Sequence, residues 1–119
     1  MSYVFTHTHG EGKIGVIVEF ECSDEATFRT EQFRAFALDT ALQIVANSPL
    51  VVAPNQLAEV VPLDRGVAYE RPRMSQALLE QPFVKDSSFR FGDVLRQLES
   101  QLGVMIHIRR FTRYGPNPA

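Results

Sequence analysis

The sequence predicts a two-layer α+β domain: a three-stranded antiparallel sheet built strand-strand-helices-strand, with its helices on one face. Two strand-like segments stand side by side at the start, joined by turn residues. Two segments with helical apolar spacing follow. A last strand-like segment, Val104 to Tyr114, closes the chain, so a long crossover returns to the sheet that the hairpin began.

Ser2 to Thr8 is rich in aromatic and β-branched residues, as strands are. His9-Gly10-Glu11-Gly12 supplies turn chemistry. Lys13 to Cys22 then alternates: Ile14, Val16, Val18, Phe20 and Cys22 point one way, and Lys13, Gly15, Ile17, Glu19 and Glu21 the other. Ser23-Asp24-Glu25 resembles a helix start, with a capping hydroxyl and two carboxylates near the positive end of the helix dipole. Phe33, Phe36, Ala37, Ala41, Ile44 and Val45 recur at helical spacing, and Asn47-Ser48-Pro49 ends that helix. Leu50 to Arg73 is broken by prolines and reads as loop, with one helical turn near Asn55 to Val61. A second short turn is expected at Ser75 to Leu79, stopped by Pro82. Phe91, Val94, Leu95, Leu98 and Leu102 make a second amphipathic helix with Gly103 as its stop. In the last strand, strict alternation puts Val104, Ile106 and Ile108 on one face and Met105, His107, Arg109, Phe111 and Arg113 on the other. Gly115 to Ala119 reads as a frayed tail.

A length of 119 residues suits one domain spanning 1–119, and the 45% hydrophobic content allows a real core. Apolar runs are far too short to cross a membrane, and no basic-then-apolar leader opens the chain. Cys22 is the one cysteine. No intrachain disulfide can form, and a reduced cytoplasmic setting fits. Net charge is −2, unevenly placed: seven acids against three basic residues up to Leu50, then three arginines and no acid from Val104 onward. A basic end strand invites a nucleic-acid reading, and Arg109-Arg110-Phe111 a single-stranded RNA one. Cross-strand pairing of these arginines with Glu19 and Glu21 is preferred, because an acidic protein binds phosphate poorly overall.

No constellation for bond chemistry emerges, so an enzyme is not expected, and neither is a cofactor. His7, His9 and His107 have the donors for zinc, but histidines at strand edges and turns are common without it, and no metal is expected. Cys22 reads as a buried, inert thiol. The sheet face away from the helices is expected to carry Ile17, Phe111 and Phe5. That face is too apolar for water, so a second copy should cover it, with Ile17 and Phe111 in the interface.

The string Gly12 to Cys22 resembles the entry strand of the dimerisation domain of elongation factor Ts, the nucleotide-exchange partner of the GTPase elongation factor Tu. Arg29-Thr30-Glu31-Gln32-Phe33 and Ala41 to Pro49 are similar to the start and end of that domain's first long helix. Leu78 to Asp86 and His107 to Tyr114 are similar to its C-terminal half. The resemblance runs from about His9 to Tyr114 and implies a protein-binding module whose partner is elongation factor Tu. Three departures qualify it. The first strand follows Met1 almost directly, so the family's N-terminal helical module is expected to be absent. The stretch from Pro49 to Leu78 is short. The exchange motif, threonine-aspartate-phenylalanine-valine, is replaced by Asp24-Glu25-Ala26-Thr27, with Phe28 the next ring. In the family an aspartate–phenylalanine wedge disturbs the site that holds Mg²⁺ and phosphates, and exchange follows by linkage. The partner-contact positions are therefore Asp24, Glu25, Ala26, Thr27 and Phe28, and exchange should be weakened or lost. The alternative is a homodimeric structural or regulatory module with another partner.

Overall fold

The computed structural model describes residues 1–57 and 76–116. Strands β1 (Ser2–His9) and β2 (Ile14–Cys22) pair antiparallel, Val4 opposite Glu19 and Phe5 opposite Val18. The turn between them runs through Gly10, Glu11 and Gly12 with φ of +63°, +60° and +85°. Two of these three left-handed places fall to glycine, the residue that occupies them without a steric penalty. β2 is the central strand, with β5 (Ile106–Tyr114) on its other side, also antiparallel. Val16, Val18, Phe20 and Cys22 are buried beneath the helices, as their alternation requires.

Both helices lie over that face. The first begins later than Ser23. Asp24 accepts the Ala26 N–H at 3.0 Å and caps a 3-10 turn, Glu25–Arg29. Thr30 is extended, and its hydroxyl oxygen accepts the Phe33 N–H at 3.1 Å, so Thr30 is the cap of α1 (Glu31–Asn47). Two caps six residues apart split what the sequence presents as one start. α1 buries Phe33, Phe36, Ala37, Ala41 and Ile44 and ends at Ser48, before Pro49. α2 (Phe91–Leu102) runs to Gly103 at φ +68° and buries Phe91, Leu95 and Leu98. At its start the Arg90 N–H donates to the Asp93 carboxylate at 3.0 Å. That bond first, and the Arg96 guanidinium second, hold the Asp93 carboxyl below the usual range.

Between the helices the chain makes a strap. Leu78 N–H and Leu79 N–H donate to the carbonyls of Val51 (2.9 Å) and Val52 (3.0 Å). The turn expected at Ser75 to Leu79 is a 3-10 turn at Leu78–Glu80, and the turn near Asn55 is another at Pro54–Gln56. Ser75, and the stretch from 58 to Val61, lie outside the described residues. Leu78 is fully buried, and Leu79 and Phe83 pack against the core. Pro82–Phe83 (β3) and Asp86–Arg90 (β4) form a small second sheet that the sequence reading did not anticipate. Space is tight where the strap meets α2: a β-carbon on Gly92 would stand 2.9 Å from the Leu79 carbonyl oxygen.

Gln43 ties strap to helix. It is fully buried on α1, an environment that demands complete hydrogen bonding. Its amide nitrogen donates to the Gln81 side chain (3.1 Å) and the Pro82 carbonyl (3.0 Å), and its oxygen accepts the Val84 N–H (2.8 Å).

β5 departs from strict alternation. Arg110 faces Glu19 while Ile108 faces Phe20, so Arg109 is an extra residue, a β-bulge. Beyond it the phase reverses. Phe111 stands opposite Val18 on the helix side and packs against the core; Ile17 stands opposite Thr112 on the outer side and is 45% exposed. Ile17 and Phe111 thus lie on opposite faces, a correction to the shared outer face read from the sequence. Phe5, opposite Val18, also packs against the core. Arg113 swings to the helix side too, where its guanidinium donates to the carbonyls of Ile44 (3.2 Å) and Val45 (3.1 Å) in the last turn of α1. A cation at a helix C-terminus satisfies otherwise open carbonyls and the negative end of the dipole.

Gln43→Ala should lower stability by roughly 2–4 kcal/mol, because the Val84 N–H and the Gln81 amide lose a buried partner. Gln32→Ala, on the exposed side of the same helix, should stay within about 0.5 kcal/mol. Urea unfolding of both variants measures the difference, and equal losses would contradict the tie.

Candidate partner-contact site

The five positions that the family resemblance marks out, Asp24 to Phe28, sit at the join of β2 and α1. Asp24, Glu25 and Ala26 are exposed on the 3-10 turn, while Thr27 and Phe28 are buried. The shape of the turn follows from its hydrogen bonds. Asp24 takes the Ala26 N–H, and the Thr30 hydroxyl donates to the Thr27 carbonyl at 2.8 Å, drawing Thr27 inward. Phe28 then lies in an aromatic cluster, stacked on Tyr3 (centroids 5.4 Å apart) and edge-on to Phe33 (5.1 Å). At 4% exposure its ring is core. The rim of the turn offers one carboxylate, Glu25, beside a methyl group, Ala26, with no exposed ring in the segment.

The outer sheet face is mixed. Glu19 and Glu21 receive the two bulge arginines: Arg110 Nε to Glu19 at 2.7 Å, Arg109 to Glu21 at 3.2 Å and, more loosely, to Glu19 at 3.9 Å. Such pairs contribute about 0–1 kcal/mol each at a surface. Their larger effect is to occupy the strand's cations: two of its three arginines face carboxylates and the third caps α1. Val4, Ile17 and Tyr114 add exposed apolar surface. Thr6, Thr8, Gly15, Ile17 and Tyr114 line a shallow depression.

The three histidines do not converge. His7 and His9 touch at 3.4 Å, whereas His107 stands opposite Glu21, far along the sheet from their turn. Among the described residues no three His, Cys, Asp or Glu side chains gather as a metal cluster. Cys22 is buried and free. No helix among the described residues is long and apolar enough to cross a membrane.

The model of the family described as elongation factor TS matches residues 1–71. That is more than half of the chain. The chain belongs to the elongation factor Ts family. The elongation factor Ts of Rubrobacter xylanophilus is 33% identical over 130 residues, spanning 91% of this chain and 67% of that protein. Those of Carboxydothermus hydrogenoformans and Bdellovibrio bacteriovorus are 31% and 29% identical over 93% and 95% of this chain, but only 61% and 44% of their own lengths are covered. The chain thus spans about half to two thirds of the curated relatives it matches.

Sequence reasoning found this segment only through the family motif; nothing in its composition marks it. It missed Gln43, Gln81 and Arg113, which hold the scaffold behind it. A glutamine one residue before Ile44, beside the apolar stripe of α1, was the available signal for the first. For Arg113, the signal was the spacing of Ile106, Ile108 and Phe111, which changes from two to three.

Phe28→Ala should destabilise the fold by about 3–5 kcal/mol, the range for a buried phenylalanine. Ala26→Ser on the exposed rim should stay within about 0.5 kcal/mol. Thermal or urea unfolding reads both; a silent Phe28→Ala would place that ring outside the core.

Proposed function

We propose that this chain is an elongation factor Ts-like protein-binding domain, one unit over residues 1–119, whose partner is elongation factor Tu and whose exchange activity is weakened or lost. It would act by contact, without bond chemistry, in the cytoplasm. One observation carries the reading: where the family presents an aspartate and a phenylalanine, the exposed rim here holds Glu25 and Ala26, and the nearest ring, Phe28, is locked in the core. Only interactions that differ between the loaded and empty GTPase can drive nucleotide release. A body that binds both forms alike gives affinity without exchange.

The test is release of a fluorescent GDP analogue from elongation factor Tu. Restoring the wedge with Asp24→Thr, Glu25→Asp, Ala26→Phe and Thr27→Val should raise release more than it raises binding. The turn tolerates these changes: threonine keeps a capping oxygen at position 24, and valine matches the buried Thr27 in shape. Release by the unmodified protein as fast as by a complete Ts factor would refute the reading.

A second reading, a homodimeric module with another partner, draws on the outer sheet face. We propose that two copies meet there around Ile17, with Val4 and Tyr114 beside it. Phe111 contributes from beneath the sheet, as support rather than contact. Ile17→Glu should then shift sedimentation at micromolar concentration from dimer to monomer, because a carboxylate buried in such a seam is unpaired. Phe111→Glu is unsuitable for this test, since it would charge the core. A wild-type monomer under the same conditions removes the proposed seam.

A further inference from the structure

We infer that His7 and His9 form a two-imidazole chelate for a zinc-class divalent cation, at the hairpin end of β1 and away from the partner-contact turn. The two residues are separated by one position at the end of the strand, and their rings lean together, with centroids 5.6 Å apart at 46°. His7 Nε2 and His9 Nδ1 are 3.4 Å apart. Two nitrogens each about 2.0–2.1 Å from a tetrahedral ion stand about 3.3–3.4 Å apart, so this pair already has the bite of tetrahedral zinc. The square-planar arrangement that copper(II) favours needs a closer pair, about 2.9 Å.

The backbone supports the arrangement. His7 is opposite Val16 and His9 opposite Ile14, both in the ladder of the central strand. The turn that follows is fixed by its left-handed residues and by the Lys13 N–H donating to the Gly10 carbonyl. His9 is exposed and His7 half-buried, so the pair is open to solvent and the ion completes its shell with water. Neutral imidazole is the ligand, and each ring offers the nitrogen that already faces its neighbour.

Isothermal titration of the purified, metal-free protein with zinc chloride tests this. The expected result is one equivalent of zinc bound. His7→Gln and His9→Gln should each weaken binding at least about tenfold, since loss of even a partner supporting a metal ligand costs about 10–100-fold. His107→Gln should change nothing. Cobalt(II) gives a second readout: a tetrahedral visible absorption band that appears with the wild type and is lost in His9→Gln. Far-ultraviolet circular dichroism of each variant confirms that the fold is kept. No zinc uptake, uptake that survives both His7→Gln and His9→Gln, or uptake that falls with His107→Gln overturns the assignment.

Discussion

Arg109 and Arg110 stand where the register between β2 and β5 slips by one residue, and that slip decides which side chains reach α1. Ahead of it, Ile106 and Ile108 fill the core in ordinary alternation. At the slip both arginines emerge on the same side and meet Glu19. Past it, Phe111 returns to the core and Arg113 to the end of α1. A regular strand would put the Phe111 ring in water and Arg113 out of reach of the Ile44 and Val45 carbonyls. Bulges re-aim side chains in this way at the edges of sheets, and here one inserted residue serves both layers.

The frame so held is that of the elongation factor Ts family. The central strand, the long helix, the strap at Leu78 to Phe83 and the final strand all keep residues suited to their places. The exposed corner between β2 and α1 is where the sequence reading placed a departure from the family's motif. Its Asp24 and Thr27 are spent on hydrogen bonding and burial within the turn, which leaves little side chain to present outward.

Much of this was legible in the residues. The alternation of Val16, Val18 and Phe20, the stripe on α1 and the stop at Gly103 all follow from periodicity and glycine chemistry. What was not legible depended on one-residue choices between competing local solutions. Asp24 and Thr30 are both good caps, and only packing of Phe28 on Tyr3 and Phe33 decides that each caps its own turn. Strict period-two reasoning cannot see a bulge, so it put Phe111 beside Ile17. Gln43 drew no reading from the sequence, because its environment is set by Gln81, Pro82 and Val84, which lie some forty residues away. The expected partner-contact positions were read from family likeness alone, because three exposed polar or small residues carry no physical signature of a partner.

The clasp of Arg113 on α1 also bears on how this chain is made. The carbonyls of Ile44 and Val45 wait for a guanidinium 69 and 68 residues further on. At a synthesis rate of about 5–20 residues per second, that is a delay of roughly 3–14 s. Throughout it β2, the most apolar strand of the sheet, has one hydrogen-bonding edge without its mate, the condition in which strands join neighbouring chains. On a crowded polysome, several copies would hold that edge open at once. The hairpin partner β1 and the early α1 layer cover β2's other edge and one face in the meantime, and the edge that awaits β5 is the one the finished sheet closes.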